Sequence, residues 1–157
     1  MLLYHGSNIS INEPKLIPAR RHLDFGPGFY LTSDLEQARK WALHTRNIHG
    51  NGVPTISVFE FDIQVQAQLD VLAFNSPDRN WLKYVVANRT GKETRQYDIV
   101  LGPVANDQTI RTVNDFINGY LTEDIAIQLL LPQKLKDQYA FKTERALQNL
   151  HFKEALV

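Results

Sequence analysis

The sequence predicts an α+β fold in a single domain spanning residues 1–157. Three observations carry that expectation. Short runs with period-two alternation, such as Phe59, Phe61 and Ile63, mark strands. Runs with helical spacing, such as Val113, Phe116 and Ile117, mark helices. The two kinds follow one another without the regular strand–helix alternation of a doubly wound sheet. A chain of 157 residues suits one domain and is long enough to bury a core without staples.

Taken in order, residues 2–5 read as a strand. Residues 8–28 are rich in Pro, Gly, Asn and Arg and read as a long loop, a feature often functional in a compact domain. Residues 29–31 form a second short strand. Thr32, Ser33 and Asp34 offer N-caps for a helix to about Arg46, which places Leu35, Ala38, Trp41, Ala42 and Thr45 on one face. Residues 54–63 read as a strand. Ser76, Pro77 and Asp78 open a second helix whose buried stripe is Trp81, Leu82, Val85 and Val86. Residues 97–104 form a third long strand, ended by Gly102 and Pro103. Val113, Phe116, Ile117, Tyr120 and Leu121 fit one helix, in which Gly119 costs about 1 kcal/mol relative to alanine. Thr122, Glu123 and Asp124 cap another over residues 125–131, stopped by Pro132. Residues 138–142 and 150–156 are the last strands, with a helical turn at 143–147 between them.

Composition excludes several classes. Seventeen basic residues balance seventeen acidic ones, so nothing demands a polyanionic partner. There is no cysteine, hence no disulfide and no thiolate chemistry, as suits a reducing compartment. No apolar run approaches the roughly 20 residues of a membrane span, and the start lacks the basic and apolar regions of a secretion signal, so no membrane association is expected and the cytoplasm is the expected location. The five histidines show no metal-ligand spacing with acids or with one another, and no metal is expected. Gly26-x-Gly28 lacks the third glycine of a dinucleotide-fold fingerprint, no lysine follows a phosphate loop, and no Gly-x-Ser-x-Gly elbow occurs. Aromatics are not interleaved with a basic stripe, which leaves a nucleic-acid module unsupported.

Two short motifs concentrate the chemistry. Tyr4-His5-Gly6-Ser7 ends the first strand, and Asp24-Phe25-Gly26-Pro27-Gly28-Phe29-Tyr30-Leu31-Thr32 follows about twenty residues later. A histidine beside a glycine and a serine can hold a ribose and an amide, and an aromatic segment next to glycines can hold a flat ring. Together they suggest a pocket for a nucleotide with a planar leaving group, which points to NAD+. With these motifs, and with Gln37, Ala38, Trp41 and Ala42, the run from Tyr97 to Ala105, and Gln138 to Thr143, the chain resembles the ADP-ribosyltransferase superfamily over nearly its whole length. The class it resembles is the histidine-tyrosine-glutamate one, and within it small bacterial transferase-like domains that act as toxins or defence effectors.

The resemblance implies two packed antiparallel sheets with peripheral helices. It implies a mono-ADP-ribosyltransferase that binds NAD+ as co-substrate, releases nicotinamide and passes ADP-ribose to a protein or nucleic-acid acceptor. A toxin of this kind implies a neutralising antitoxin as a partner. The catalytic residues it implies are His5, Tyr30 and Gln138. His5 would hold a ribose hydroxyl and the backbone of Gly6 the nicotinamide carboxamide, with Ser7 as a further donor. Tyr30 would stack on the ring, worth roughly 0.5–1.5 kcal/mol beyond area burial. Arg20 or Arg21 would meet the pyrophosphate, as an arginine fork suits. Phe25 would line or close the pocket, Gly28 would allow close approach, and Thr32 would stand nearby.

Plainer readings exist for the same residues: a histidine at a strand end, a core tyrosine, a turn glycine, a solvated basic loop, a helix-capping threonine. Alternation puts Phe29 opposite Tyr30 and therefore in the core. At the third catalytic position relatives usually carry glutamate, whereas this chain has Gln138, which accepts a hydrogen bond but brings no full charge and cannot act as a base. Glu144, six residues on, reads as a helix-start acid. The alternative reading is therefore a catalytically weak or inactive module that binds NAD+, another ligand or a partner protein on the same scaffold.

Overall fold

The computed structural model describes residues 1–18, 23–93 and 95–157. Among them the elements run β1 (Leu2–Ser7), β2 (Phe29–Leu31), α1 (Leu35–His49), β3 (Thr55–Phe61), a 3-10 turn (Ile63–Gln68), β4 (Val71–Ala73), α2 (Arg79–Arg89), β5 (Ile99–Pro103), α3 (Asp107–Ile117), α4 (Glu123–Leu130), β6 (Asp137–Phe141), α5 (Glu144–Leu147) and β7 (Leu150–Leu156). The fold is α+β.

The strands divide into two sheets. One is three-stranded in the order β1-β3-β7, and the other is four-stranded in the order β2-β6-β5-β4. Every pairing is antiparallel except β4 with β5, which is parallel because α2 crosses between them. The expectation of wholly antiparallel sheets is corrected at that edge. Strand β4 and the 3-10 turn escape a reading of the sequence, since three residues carry no usable period.

Alternation along each strand sorts the core into layers. Leu3, Phe59 and Phe61 of the first sheet meet Phe29, Leu31, Ile99 and Phe141 of the second, and this apolar layer joins the sheets. Phe61 and Phe141 touch edge to face at 5.2 Å. On the far side of the four-stranded sheet, Val100 and Ala140 pack with Trp81, Leu82 and Val85 of α2, Val113 of α3 and Leu130 of α4. On the far side of the three-stranded sheet, Ile56 and Val58 meet Ala38 of α1.

The helices begin where their caps dictate. Asp34, Asp78, Asn106, Thr122 and Thr143 each accept a backbone N–H from the first turn of the helix that follows. Asp78→Ala is expected to cost about 1 kcal/mol and lower the melting temperature by about 2–4 °C, read by thermal unfolding. α1 continues past Arg46 to His49, where Gly50 closes it. α3 ends at Ile117, so the single helix expected through Leu121 is shorter, and Tyr120 is 78% exposed beyond its end. Glu144 lies in the first turn of α5, the structural place expected for it.

Candidate functional site

β1 and β2 belong to different sheets, yet they meet once. Tyr4 and Thr32 exchange both backbone hydrogen bonds, 2.8 and 3.0 Å. Beyond that bridge the strands part. The next pair in register would join Gly6 to Tyr30, but the Tyr30 carbonyl instead accepts a hydrogen bond from His5 Nδ1 at 2.7 Å. The alternation of an antiparallel ladder then turns the N–H and C=O of Gly6 away from β3, into the gap where the sheets divide. An amide edge in that position can pair with a carboxamide through one donor and one acceptor.

Because a carbonyl only accepts, His5 donates from Nδ1, and Nε2 of the neutral ring is left as the acceptor. Burial holds the His5 pKa below its ordinary value, so the imidazole stays neutral at pH 7. The ring is half-buried and stacks on Phe29, centroids 4.3 Å apart at 22°. Gly6 has a steric role as well: a Cβ there would lie 2.1 Å from the Ala38 carbonyl oxygen in α1.

A cavity of about 530 Å³ opens on the helix-facing side of the four-stranded sheet. Tyr30 of β2 and Gln138 of β6 line it, together with Trp41 of α1, Arg89 of α2, Ile110 of α3, Val104 and Ala105 after β5, and Leu23 and Asp24 in the loop before β2. The Tyr30 hydroxyl donates to the Gly26 carbonyl at 2.5 Å and accepts the Phe25 N–H at 3.2 Å. Burial raises its pKa far above the usual value, so the ring is a neutral, fixed platform. Gly26 sits at φ 76°, where a side chain would also strike Asn88 Oδ1 at 2.6 Å, and that backbone turn is what presents its carbonyl to Tyr30. Gln138 is buried and donates one N–H to the Pro103 carbonyl at 3.4 Å, which also accepts the Trp81 indole N–H at 3.0 Å. Its amide is thereby oriented, and its oxygen remains for a ligand hydroxyl.

The structure brings Tyr30 and Gln138 into one cavity. The His5 side chain does not line it: position 5 shares the inter-sheet side of β1 with Leu3, and His5 meets the cavity wall through the backbone of Tyr30. Ser7 is buried beside Asn8. Phe25 is fully buried in the core against Tyr84 and Phe74, where an apolar ring in the loop fills the space under α2. Gly28 borders a separate cavity of about 310 Å³ with Pro27 and Lys142. Thr32 is fully buried and donates to Asp137 Oδ1 at 2.9 Å, so it ties β2 to β6. Phe29 is in the core as alternation requires. Arg20 and Arg21 lie outside the described residues.

Of the cavity residues, only Tyr30 and Gln138 were expected in the site; Trp41, Asp24 and Arg89 are among those that the sequence did not place there. The Trp41 signal was present: it stands one residue before Ala42 in the helix whose small residues approach Gly6, so its large ring has to lie beside that contact rather than in it. Among the described residues no group of three or more His, Cys, Asp or Glu could hold a metal ion. No helix of the described residues is long and apolar enough to cross a membrane.

No curated protein matches the chain. A family model with the description "Protein of unknown function (DUF3990)" matches residues 1–152. The split between β1 and β2, the motifs that frame it and the cavity beside it therefore occur in a chain that belongs to the DUF3990 family.

Proposed function

We propose that the protein is a mono-ADP-ribosyltransferase that binds NAD+ in the cavity beside the β1–β2 split, releases nicotinamide and transfers ADP-ribose to a macromolecular acceptor. The observation that carries this reading is the arrangement at the split. His5 takes the hydrogen bond that the ladder would give Gly6 and frees a backbone amide edge, next to a cavity walled by the Tyr30 and Trp41 rings and the oriented amide of Gln138. A nicotinamide ring has the three properties such a site recognises: two flat faces, a carboxamide, and an attached ribose. His5 acts on this site through the Tyr30 carbonyl it holds away from Gly6. The ADP-ribosyltransferase likeness of the fold belongs to this proposal, supported by the division of the strands into two sheets joined at a single bridge.

Labelled NAD+ incubated with the protein and a cell lysate tests the reading. Transfer of label to protein or nucleic acid, with nicotinamide release, both lost in Tyr30→Ala and His5→Ala, is the expected result. Absence of nicotinamide release overturns it, whether or not calorimetry shows NAD+ binding. A bacterial toxin or defence effector acting in the cytoplasm is the setting proposed with it. Growth arrest on induction, relieved by Tyr30→Ala, checks that part, and a cognate antitoxin would relieve the arrest too.

A second reading has its own support. Gln138 brings no charge, and its amide is already engaged by Pro103, which suits a module that binds NAD+ or a partner protein without turnover. Wild-type protein that binds NAD+ but is inert, with turnover gained in Gln138→Glu, would establish it.

A further inference from the structure

Cleavage of the nicotinamide–ribose bond leaves positive charge on the sugar, and a side chain that stabilises charge appearing only in the transition state speeds the chemical step. Gln138 cannot do so with a full charge. Among the described residues that line the cavity, Asp24 is the carboxylate. Its side chain is 12% exposed, and Oδ1 accepts Arg89 Nε at 2.6 Å. Arg89 is fixed in turn by Asn114 Oδ1 at 3.1 Å. Asp24 is also near enough to the Tyr30 phenol to contribute to its raised pKa. A loop carboxylate is thus held rigidly on the wall that carries Tyr30 and Gln138, with Oδ2 not used in the bond to Arg89.

We propose that Asp24 is a catalytic residue: from the loop before β2 it provides the negative charge that position 138 lacks, while Arg89 is its positioning residue. This rests on the transferase reading above. In the step, the C1′–N bond of the nicotinamide riboside breaks and its electron pair leaves with the ring nitrogen as neutral nicotinamide. The Asp24 carboxylate stabilises the cationic C1′. A nucleophile, water when no macromolecule is present, bonds to C1′ through oxygen and passes its proton to Asp24 and on to solvent. The balance is NAD+ plus water giving ADP-ribose, nicotinamide and a proton.

Steady-state nicotinamide release by the full chain, in wild type and Asp24→Asn, tests the assignment. The amide oxygen can still accept from Arg89, so the fold is retained while the charge is removed. A fall in kcat of about a hundredfold to a thousandfold, with KM for NAD+ and melting temperature little changed, is expected. Wild-type kcat in the variant, or a rise in KM alone, overturns the assignment and leaves the transferase reading standing. Wild-type protein that releases no nicotinamide overturns both. Should Asp24→Asn unfold, Asp24→Glu keeps the pair with Arg89 and displaces the carboxylate by one methylene: a lower kcat at unchanged melting temperature supports the role, and an unchanged kcat overturns it.

Discussion

Gly6→Ala is expected to lose NAD+ binding and to lower the melting temperature by about 6–12 °C. The added methyl carbon would lie 2.1 Å from the Ala38 carbonyl oxygen and 2.7 Å from the Ala42 nitrogen. Both are backbone atoms of α1, so no rotamer change relieves the clash, and the helix has to move off β1. Overpacking of this kind costs about 3 kcal/mol, and each kcal/mol lowers the melting temperature by about 2–4 °C in a domain of this size. Moving α1 also displaces Trp41 from the cavity wall and disturbs the strand that carries His5. Thermal unfolding by circular dichroism and titration calorimetry with NAD+ read the two effects. A variant with unchanged melting temperature would show that α1 tolerates the displacement, and retained NAD+ affinity would separate Gly6 from ligand recognition.

That coupling also shows what a reading of the sequence can reach. Helix starts were legible where a capping side chain stands just ahead of an apolar stripe, as at Asp34 before α1 and Thr122 before α4, whereas the Asn106 start of α3 was not read. Strand faces were legible where the period is unbroken, as at Phe29 against Tyr30. Tyr30 and Gln138 were legible as a pair, although 108 residues separate them, only through the motifs they sit in. Their meeting depends on β2 pairing with β6, a contact with no local trace. The same holds for Asp24 and Arg89, joined across a loop and the end of α2. His5 shows the opposite case. Its residue type suggested a ligand contact, whereas the backbone parity of β1 turns its ring between the sheets and gives it the task of keeping the Tyr30 carbonyl from Gly6. Thr32 and Phe25 were placed near the ligand by motif alone, and burial assigns them to the framework instead.

The framework holds one more charged group that no catalytic role uses. Lys142, buried at the end of β6, donates from Nζ to the Phe25 carbonyl at 2.5 Å and to the Pro27 carbonyl at 2.9 Å. It thereby clamps the turn whose Gly26 carbonyl anchors Tyr30. Burial pushes its pKa down from 10.5 to about 8, against a smaller opposing pull from Glu93. The folded chain therefore loses this proton near pH 8, while the unfolded chain keeps it to about 10.5. Between those values the unfolded state binds more protons, so this group makes stability rise with pH, by at most about 1.4 kcal/mol per pH unit. Tyr30, Tyr84 and Tyr139 act oppositely above about pH 10, because their raised pKa values keep them protonated in the folded state after the unfolded chain has ionised. Comparing wild type with Lys142→Met cancels the tyrosines and isolates the lysine. Urea unfolding from pH 7 to pH 10 is expected to show wild-type stability gaining on the variant through this window. Parallel curves would mean that the carbonyls of Phe25 and Pro27 compensate the buried ammonium fully, and that the clamp on the Tyr30 loop is indifferent to its proton.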